Sequence, residues 1–381
     1  METSRNGQLR VLLVGGGVAA LEAMVALRSL AGERVQIDLL APDSDFHHKP
    51  LATAEPFAAG QVQRFDLRTL AGGCGARHHL GTVIGIDAEH RTVRTSRGAT
   101  FEYDELLIAV GARPMQAIPG AITFGGPENG YAFRGLLAEL ERGDVRRVIF
   151  ALPGGVTWPL PLYELALQTS ERLRSAGDRK TEILVVTPEE TPLALVGREG
   201  SRAVEAVLDE RRVEFVGGTY VSTFTAGRLE AVPGEPICAD AVVTLPRLRG
   251  VALAGVPQDA DGFVTTDLHG RVRGLPNVYA AGDITRFPVK QGGLSAQQAD
   301  AVAETIAARA GADVTPRPFD PVLRGILLTG SEPIYLRTEL SAGLGASSAI
   351  DTEPLWWPAA KTSARYLTSY LAQYAGLSYG P

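Results

Sequence analysis

The sequence predicts an α/β protein with two doubly wound domains, the second inserted in the first, and a small C-terminal α+β domain. Two segments have the order of a buried strand, a glycine turn and a helix, and they begin at Arg10 and Arg146. A later apolar strand, residues 277–281, ends in Gly282 and Asp283. Short apolar runs are typical of parallel strands buried on both faces. The last strand therefore returns the chain to the first domain.

We predict residues 1–115 and 262–312 as the first domain, 116–261 as the second and 313–381 as the C-terminal domain. The elements that we expect are helices over residues 19–30, 160–175, 198–210, 293–310 and 356–374, a hairpin of residues 82–87 and 91–96, C-terminal strands at 325–330 and 333–338, an irregular loop over 46–57 and a linker over 311–321.

Composition narrows the class of protein. Of the 381 residues, 45% are hydrophobic and 21% are charged, which is ordinary for a globular chain. The net charge of -6 gives no basic surface for nucleic acid. Apolar runs are far shorter than a membrane span, and the polar N-terminal segment predicts no signal peptide. We expect a cytoplasmic protein without a disulfide framework, since there are two cysteines.

The first glycine turn has the pattern of a dinucleotide site. Gly15, Gly17 and Ala20 form G-x-G-x-x-A directly after the first strand. Gly15 permits the tight turn, Gly17 lets a pyrophosphate approach the backbone, and Ala20 lets the helix pack on the strand. Val18 and Ala19 begin that helix, whose amide groups and dipole attract phosphates. A glycine turn without a nucleotide is the alternative.

The acidic residue that usually binds the ribose is displaced. It is expected about 20 residues after the glycine motif, at the end of the second strand. Here Ala41 and Pro42 occupy that end, and Asp43 follows them. Asp38 lies inside the strand, so Asp43 is the better candidate.

Taken in order, five motifs resemble the flavoproteins with two dinucleotide-binding domains, and more narrowly the sulfide:quinone oxidoreductase and type II NADH dehydrogenase group. The motifs are VGGGVAALEA, LLIAVGARP, NVYAAGDIT, KQGGLSAQQA and WWPAAKTSARYL. They extend over roughly residues 10 to 375. The resemblance implies Rossmann-like domains, an FAD cofactor and oxidoreductase activity, but it does not identify the substrate.

The resemblance also implies which residues bind FAD. They are Gly15, Gly17, Val18, Ala19, Ala20, Asp43, Lys49, Pro50, Val83, Ala109, Gly111, Gly282, Asp283, Gly292, Gly293 and Leu294. Asp283 would bind the ribityl hydroxyls or the pyrophosphate. The helix that begins at Gly292 would face the pyrimidine edge of the flavin and stabilise its anionic reduced form. Lys290 would add positive charge there, and a solvated loop lysine is the alternative.

The cysteines depart from the sulfide-oxidising members of this group. Those members have redox cysteines in stretches corresponding to residues 127–131, 153–158 and the C-terminal region, and this sequence has none there. Cys74 and Cys238 lack C-x-x-C spacing. We therefore predict neither sulfide oxidation by the usual mechanism nor disulfide reduction.

The second glycine turn departs from a nicotinamide site. Residues 153–159 read PGGVTWP, in which Trp158 would crowd a pyrophosphate and Pro159 takes the place of the third small residue. The next strand ends in Thr187 and Pro188, and Glu189 lies just beyond it. The pattern disfavours NAD(P)H, although an NAD(P)H-dependent reductase stays an alternative.

No catalytic residue follows from the sequence alone, but three are candidates. Lys290 adds charge near the flavin, and Lys361 could hydrogen-bond a quinone oxygen. Glu164 on a helix could move a proton, and a place on a solvated helix face is the alternative for this residue. The aromatic residues Trp356, Trp357, Tyr366 and Tyr370 would suit a quinone ring, with core packing as the alternative. The adjacent histidines at 47–48 and 78–79 lack metal-site spacing, so no metal is expected.

The function predicted is an FAD-dependent oxidoreductase. It passes two electrons from an unidentified donor through the flavin to a quinone or another carrier, so its partner is a small molecule or a quinone. The alternatives are an NAD(P)H-dependent reductase and a non-catalytic flavoprotein that binds a partner or assists assembly. A peripheral membrane contact, a protein partner and a homodimer stay open, because Leu367, Tyr370, Leu371 and Tyr374 form an apolar stripe.

Overall fold

The computed structural model describes residues 7–125, 130–341 and 344–375. Its α-helices are α1 (Val18–Ala31), α2 (Leu67–Gly73), α3 (Gly130–Arg142), α4 (Leu160–Ser175), α5 (Gly197–Glu210), α6 (Gly292–Arg309) and α7 (Leu367–Ala375). Its strands are β1 (Leu9–Val14), β2 (Val35–Ala41), β3 (Asp45–His48), β4 (Gln63–Asp66), β5 (Arg77–Leu80), β6 (Val83–Asp87), β7 (Thr92–Thr95), β8 (Thr100–Glu102), β9 (Glu105–Ile108), β10 (Ala112–Met115), β11 (Ile122–Thr123), β12 (Arg147–Ala151), β13 (Glu182–Val186), β14 (Val213–Val216), β15 (Tyr220–Thr225), β16 (Arg228–Val232), β17 (Ile237–Cys238), β18 (Ala241–Thr244), β19 (Arg247–Gly250), β20 (Val278–Ala280), β21 (Val322–Leu327), β22 (Ile334–Ser341) and β23 (Leu344–Asp351).

The first sheet is parallel and has the strand order β20-β9-β1-β2-β5. Alternate residues of β1 point into two different cores. Leu13 packs with α1 and α6 on one face, whereas Leu12 packs with β6 and β7 on the other. This double burial explains why the strand is apolar throughout. Val14 pairs with Leu40 and Ile108, so the strands end at a common edge.

The second sheet is also parallel, with the order β11-β18-β12-β13-β14. Helices α3, α4 and α5 pack on one face, and the antiparallel strands β15, β16 and β17 cover the other. The antiparallel pair β10 and β19 lies where the chain leaves the first sheet and returns from the second. The second unit is therefore inserted in the first, as predicted.

The C-terminal part is an antiparallel sheet, β21-β22-β23, followed by an irregular segment and α7. The helix predicted over residues 356–374 is wrong in its first half, because α7 begins only at Leu367. Pro358 cannot donate a backbone hydrogen bond. The Thr368 hydroxyl accepts from Ala364 N and donates to Thr362 O, so side-chain bonds replace helical ones.

The predicted helices and loops agree with the structure to different degrees. Four long helices agree with prediction to within one residue at each end: α1, α4, α5 and α6. The loop expected over residues 46–57 instead begins as strand β3, which pairs with β4. Helices α2 and α3 and strand β23 were missed. Among the described residues, no helix is long and apolar enough to cross a membrane.

Candidate functional site

A cavity of about 650 Å³ lies where the two doubly wound units and the C-terminal segment meet. This volume is typical of cofactor and substrate sites, which range over about 300–1,000 Å³. Its wall is largely apolar: Phe124, Trp158, Leu245, Leu248, Phe263, Phe287 and Ile326. The charged side chains on this wall include Lys49, Glu164, Arg286, Lys290 and Lys361, and their positions define the chemistry that the cavity can support.

The first glycine turn borders the cavity and is shaped by two different constraints. A Cβ on Gly15 would lie 2.1 Å from the carbonyl oxygen of Ala109, so the turn closes directly on the end of β9. A Cβ on Gly17 would meet no protein atom within 4 Å. Gly17 also precedes α1 without a side-chain cap on that helix. Open space in front of free helical amides fits a pyrophosphate.

The structure places only some of the predicted FAD residues on the cavity wall. Those that line it are Gly17, Val18, Lys49, Pro50 and Gly292. The others lie around it: Gly15 and Ala109 in mutual contact, Ala19 and Ala20 buried on α1, Asp43 exposed after β2, Val83 buried at the start of β6, Gly111 beyond β9, Gly282 and Asp283 after β20, and Gly293 and Leu294 in the first turn of α6.

Asp283 and Lys290 are electrostatically coupled beside the cavity. Ser295 Oγ donates to Asp283 Oδ1 over 3.4 Å, and burial raises the pKa of this carboxyl, an effect that Lys290 opposes. Lys290 Nζ donates to Thr285 O and lies 4.0 Å from the centroid of the Phe263 ring. Burial lowers the pKa of Lys290 to about 8. The Lys290 side chain is therefore fixed by its contacts with Thr285 and Phe263, and it is not a solvated loop lysine.

The start of α6 is capped by its own chain. The Gln291 side chain accepts from Leu294 N over 2.9 Å, and it also donates to Arg324 O. The amide of Leu294 is thus already satisfied, and the free amides that could face a ligand belong to the residues before it. Gln291 lines the cavity, and although it belongs to the motif KQGGLSAQQA, no role was assigned to it from the sequence.

Two of the candidate catalytic residues form an ion pair on the cavity wall. Lys361 Nζ donates to Glu164 Oε1 over 2.5 Å, and the Glu164 side chain has no exposed surface. The same carboxylate accepts from Thr53 Oγ1 at 2.7 Å and from Leu328 N at 3.1 Å. The pair therefore joins both doubly wound units to the C-terminal segment. Thr53 was not predicted, because an isolated threonine in a loop has no distinctive pattern.

Glu189, the acidic residue after the second strand of the second unit, already accepts hydrogen bonds from its own chain. Glu189 accepts from Tyr163 Oη at 2.7 Å, from Thr187 Oγ1 at 3.1 Å and from Ala194 N at 3.1 Å. Tyr163 is fully buried on α4. A ribose would have to displace these donors to reach the carboxylate.

Trp158 both lines the cavity and packs at the seam between units. A Cβ on Gly325 of β21 would lie 3.3 Å from the Trp158 ring, so Gly325 leaves room for the indole. Trp158 is therefore both a wall of the cavity and a packing residue. His47 and His48 also line the cavity, and burial lowers the pKa of His48.

The C-terminal aromatic residues lie away from the cavity. Trp356 packs edge-on against Tyr335, and Trp357 is 63% exposed. Tyr370 Oη donates to Leu70 O over 2.6 Å, which fixes α7 to α2. From this segment, only Lys361 and Thr362 line the cavity. The aromatic residues are therefore not part of the wall of this cavity, and the contacts of Trp356 and Tyr370 agree with the alternative of packing.

The cysteines do not approach each other or the cavity. Cys74 is buried at the end of α2, and Cys238 is exposed at the end of β17. Burial raises the pKa of the Cys74 thiol. Of the three stretches where redox cysteines were expected in related proteins, residues 127–129 lie outside the described residues.

Comparisons with known proteins agree with this architecture. Residues 9–305 match the family described as pyridine nucleotide-disulphide oxidoreductase, and the chain belongs to this family. An NADH dehydrogenase-like protein of Mycobacterium tuberculosis is 26% identical over 299 residues, which are 72% of each chain. The sulfide-quinone reductase of Aquifex aeolicus is 26% identical over 300 residues, 73% of this chain and 69% of that protein.

Solved structures extend the likeness of fold beyond the matched region. The sulfide:quinone oxidoreductase of Aquifex aeolicus superposes with a TM-score of 0.82, covering 96% of this chain and 90% of its own, at 20% identity. The ferredoxin reductase of the CYP199A2 system from Rhodopseudomonas palustris gives a TM-score of 0.64 over 87% and 82% of the two chains. These likenesses confirm two doubly wound domains with a C-terminal addition.

Family and geometry together define an FAD-dependent oxidoreductase. The open space at Gly17, the uncapped start of α1 and the adjoining cavity all fit FAD. FAD supplies the two-electron chemistry, while the protein supplies binding, orientation and electrostatics. The predictions of cofactor, enzyme class and fold are thereby confirmed, and the relatives are named as enzymes rather than as non-catalytic flavoproteins.

Proposed function

We propose that the protein transfers two electrons through FAD, bound along the part of the cavity wall beside Gly17, to a quinone-class carrier bound at the part of the wall that Lys361 and Glu164 line. The observation that carries this proposal is the ion pair of Lys361 and Glu164 on an otherwise largely apolar wall. A quinone is an apolar ring with two oxygen atoms, and its reduction consumes two electrons and two protons. An apolar cavity with a cationic donor and a neighbouring carboxylate supports both the ring and the protonation.

Lys361 is suited to hold a quinone oxygen. Its ammonium has three donors, and Glu164 Oε1 takes one of them. The remaining donors can stabilise negative charge on a ring oxygen and deliver a proton to it. Glu164 then favours the return of a proton to Lys361, because an unpaired carboxylate in this buried position is costly.

The donor that we propose is not a nicotinamide nucleotide. In the second unit, Glu189 already holds three protein donors, and the Trp158 indole lies between the glycine turn and β21. Arg247 Nε also donates to Gly154 O within that turn. A pyrophosphate and a ribose would have to displace these contacts.

The second candidate is an NAD(P)H-dependent reductase, and the names of several relatives favour it. Besides the mycobacterial protein, an alternative NAD(P)H-ubiquinone oxidoreductase of Arabidopsis thaliana is 27% identical over 331 residues. Anaerobic titration of the flavoprotein with NADH and NADPH separates the two candidates. Bleaching of the flavin absorbance within seconds would identify a nicotinamide donor and refute that part of the proposal.

The acceptor is tested without knowledge of the donor. FAD in the intact protein is reduced photochemically without oxygen and mixed with a short-chain ubiquinone analogue, and flavin reoxidation is followed. We expect saturable reoxidation, slowed about 100-fold in Lys361→Met, a loss typical of general acid–base groups. Lys361→Arg should recover part of the rate, because it keeps the charge.

The matched control is Lys180→Met, which removes an exposed lysine that does not line the cavity. Its flavin should be reoxidised at the wild-type rate. Reoxidation that does not saturate with quinone, or that is unchanged in Lys361→Met, would refute a quinone site in this cavity. Because the photoreduced flavin supplies the electrons, this result does not depend on the identity of the donor.

A further inference from the structure

A buried carboxylate in the first domain caps the C-terminal helix. Glu22, on the second turn of α1, is fully buried. Its Oε1 accepts from Tyr366 N over 2.9 Å, and its Oε2 accepts from Leu367 N over 2.6 Å. Leu367 is the first residue of α7. A carboxylate at this position satisfies unpaired amides and complements the helix dipole.

A second carboxyl group faces the first one. Asp300, on α6, lies beside Glu22 where α6 packs on α1, and its Oδ1 is buried without a hydrogen-bond partner among the described residues. Two carboxyl groups in contact cannot both be ionised without a large cost, so they share a proton. Burial raises the pKa of Glu22 as well, but the amides of Tyr366 and Leu367 oppose this effect, so Glu22 is the ionised member and Asp300 carries the proton.

Other charged groups near the pair are directed elsewhere. Arg365 donates to Glu304 Oε1 over 3.2 Å, and Arg317 also binds Glu304. Tyr366, on the C-terminal segment, is half-buried beside the pair, and its phenol is neutral at physiological pH. Arg365 acts on Asp300 only at longer range. Burial first, and then Glu22, raises the pKa of Asp300 to about 9.

The segment that Glu22 caps leads directly to the cavity. Lys361 and Thr362 line the cavity, and they precede α7 by only a few residues. Thr368 Oγ1 ties the first turn of α7 back to Thr362 O, over 3.1 Å. A Cβ on Gly292 would lie 3.3 Å from Thr362 Cγ2, so the segment also rests on the start of α6. The place of Lys361 therefore depends on where α7 begins.

We propose that Glu22 and Asp300 act as a proton-sharing pair of positioning residues, which anchors the start of α7 and thereby holds Lys361 at the cavity. The inference rests on the function proposed above for Lys361. While Asp300 is protonated, it donates to Glu22 and leaves that carboxylate free to cap α7. Once Asp300 is ionised, two carboxylates repel each other and the cap loosens.

The sign of the pH dependence follows from the direction of the pKa shift. The pKa of Asp300 is higher in the folded protein than in the unfolded chain, so Asp300 is protonated and the anchor is complete at neutral pH. It is lost as the pH rises through about 9. Neutralising either carboxyl group removes the repulsion, and with it the alkaline change.

Hydrogen exchange of the α7 peptide in the FAD-loaded protein tests this inference. Exchange is measured from about pH 7 to about pH 10, with labelling times scaled to the intrinsic rate at each pH. We expect protection of α7 in the wild type to fall about tenfold across pH 9, and to persist in Asp300→Asn. Glu22→Gln should lack the alkaline step but protect α7 less at neutral pH, because an amide oxygen is a weaker acceptor.

Glu33→Gln, which changes an exposed carboxylate just beyond α1, is the matched control and should keep the wild-type step. A wild type without an alkaline step in α7, or the same step in Asp300→Asn, overturns the carboxyl pair. Flavin reoxidation by the quinone analogue is measured in parallel. If α7 loosens but reoxidation does not slow, the positioning of Lys361 is overturned, whereas reoxidation that never saturates with quinone refutes the proposed function and leaves the pair standing.

Discussion

Lys361 Nζ lies 2.5 Å from Oε1 of Glu164, although 197 residues separate them in the sequence. Thr53 from the first unit donates to the other oxygen of this carboxylate. A single buried carboxylate therefore joins all three parts of the protein at the cavity. Any motion that separates these parts has to break a hydrogen bond to the Glu164 carboxylate. The contacts of Glu164 therefore oppose the separation of the three parts.

The first prediction concerns the stability of this pair. Lys361→Met leaves the Glu164 carboxylate buried without its cation, and we expect the free energy of unfolding to fall by about 3–5 kcal/mol. The double variant Glu164→Gln with Lys361→Met should be less destabilised than the single Lys361 variant, because no buried charge remains unpaired. Chemical denaturation of the wild type, the two single variants Lys361→Met and Glu164→Gln, and the double variant measures the coupling energy between the two side chains. Strict additivity of the two changes in the free energy of unfolding would contradict this prediction.

The second prediction distinguishes the roles of two glycines in the same turn, Gly15 in stability and Gly17 in FAD binding. Gly15→Ala places a Cβ against the carbonyl of Ala109 at a positive φ, and we expect a loss of about 2 kcal/mol or more in stability. Gly17→Ala adds its Cβ to open space, so the apoprotein should lose about 1 kcal/mol or less. FAD retention should nevertheless fall about tenfold or more, because the methyl group stands where a pyrophosphate approaches.

The ratio of flavin to protein absorbance after gel filtration, together with thermal unfolding of the apoprotein, measures both effects. A Gly17→Ala protein that keeps its full complement of FAD would show that the cofactor does not approach this turn.

The third prediction concerns Lys290. Its pKa of about 8 means that its positive charge is lost as the pH rises through this value. While charged, it should favour the anionic reduced flavin, so Lys290→Met should lower the midpoint potential by about 30 mV, or about 1.4 kcal/mol for two electrons. Potentiometric titrations on both sides of pH 8 should show this difference at the lower pH and not at the higher one. A difference that is independent of pH would assign the effect to another group.

The fourth prediction concerns the cysteines. Burial raises the pKa of Cys74, so its thiol stays protonated at neutral pH, and Cys238 lies on the surface. We expect Cys74→Ala and Cys238→Ser, alone and together, to reoxidise with the quinone analogue within about twofold of the wild-type rate. Cys74→Ala should cost about 1 kcal/mol in stability through lost packing. A tenfold loss of rate in either variant would place a thiol in the electron path.

The cavity was predictable only in part. Lys49, Pro50 and Gly292 were expected near FAD from motifs, and they do line the cavity. Thr53 was missed, because a single polar side chain in a loop carries no periodic signal, and no role was assigned to Gln291 although it lies within a quoted motif. Two alternatives stayed open for the C-terminal aromatic residues, since the sequence does not show which neighbour an aromatic ring will contact.

The sequence by itself determined the two strand–turn–helix units, the glycine turn at residues 15–20 and the absence of C-x-x-C spacing. These features depend on apolar periodicity and on local steric demands, which act between residues close together in the chain. Tertiary structure alone decided that Glu164 meets Lys361 and that Glu22 caps α7 across 344 residues. Such contacts depend on how whole helices pack, because the energy of burying a charge is set by the neighbours that folding brings to it.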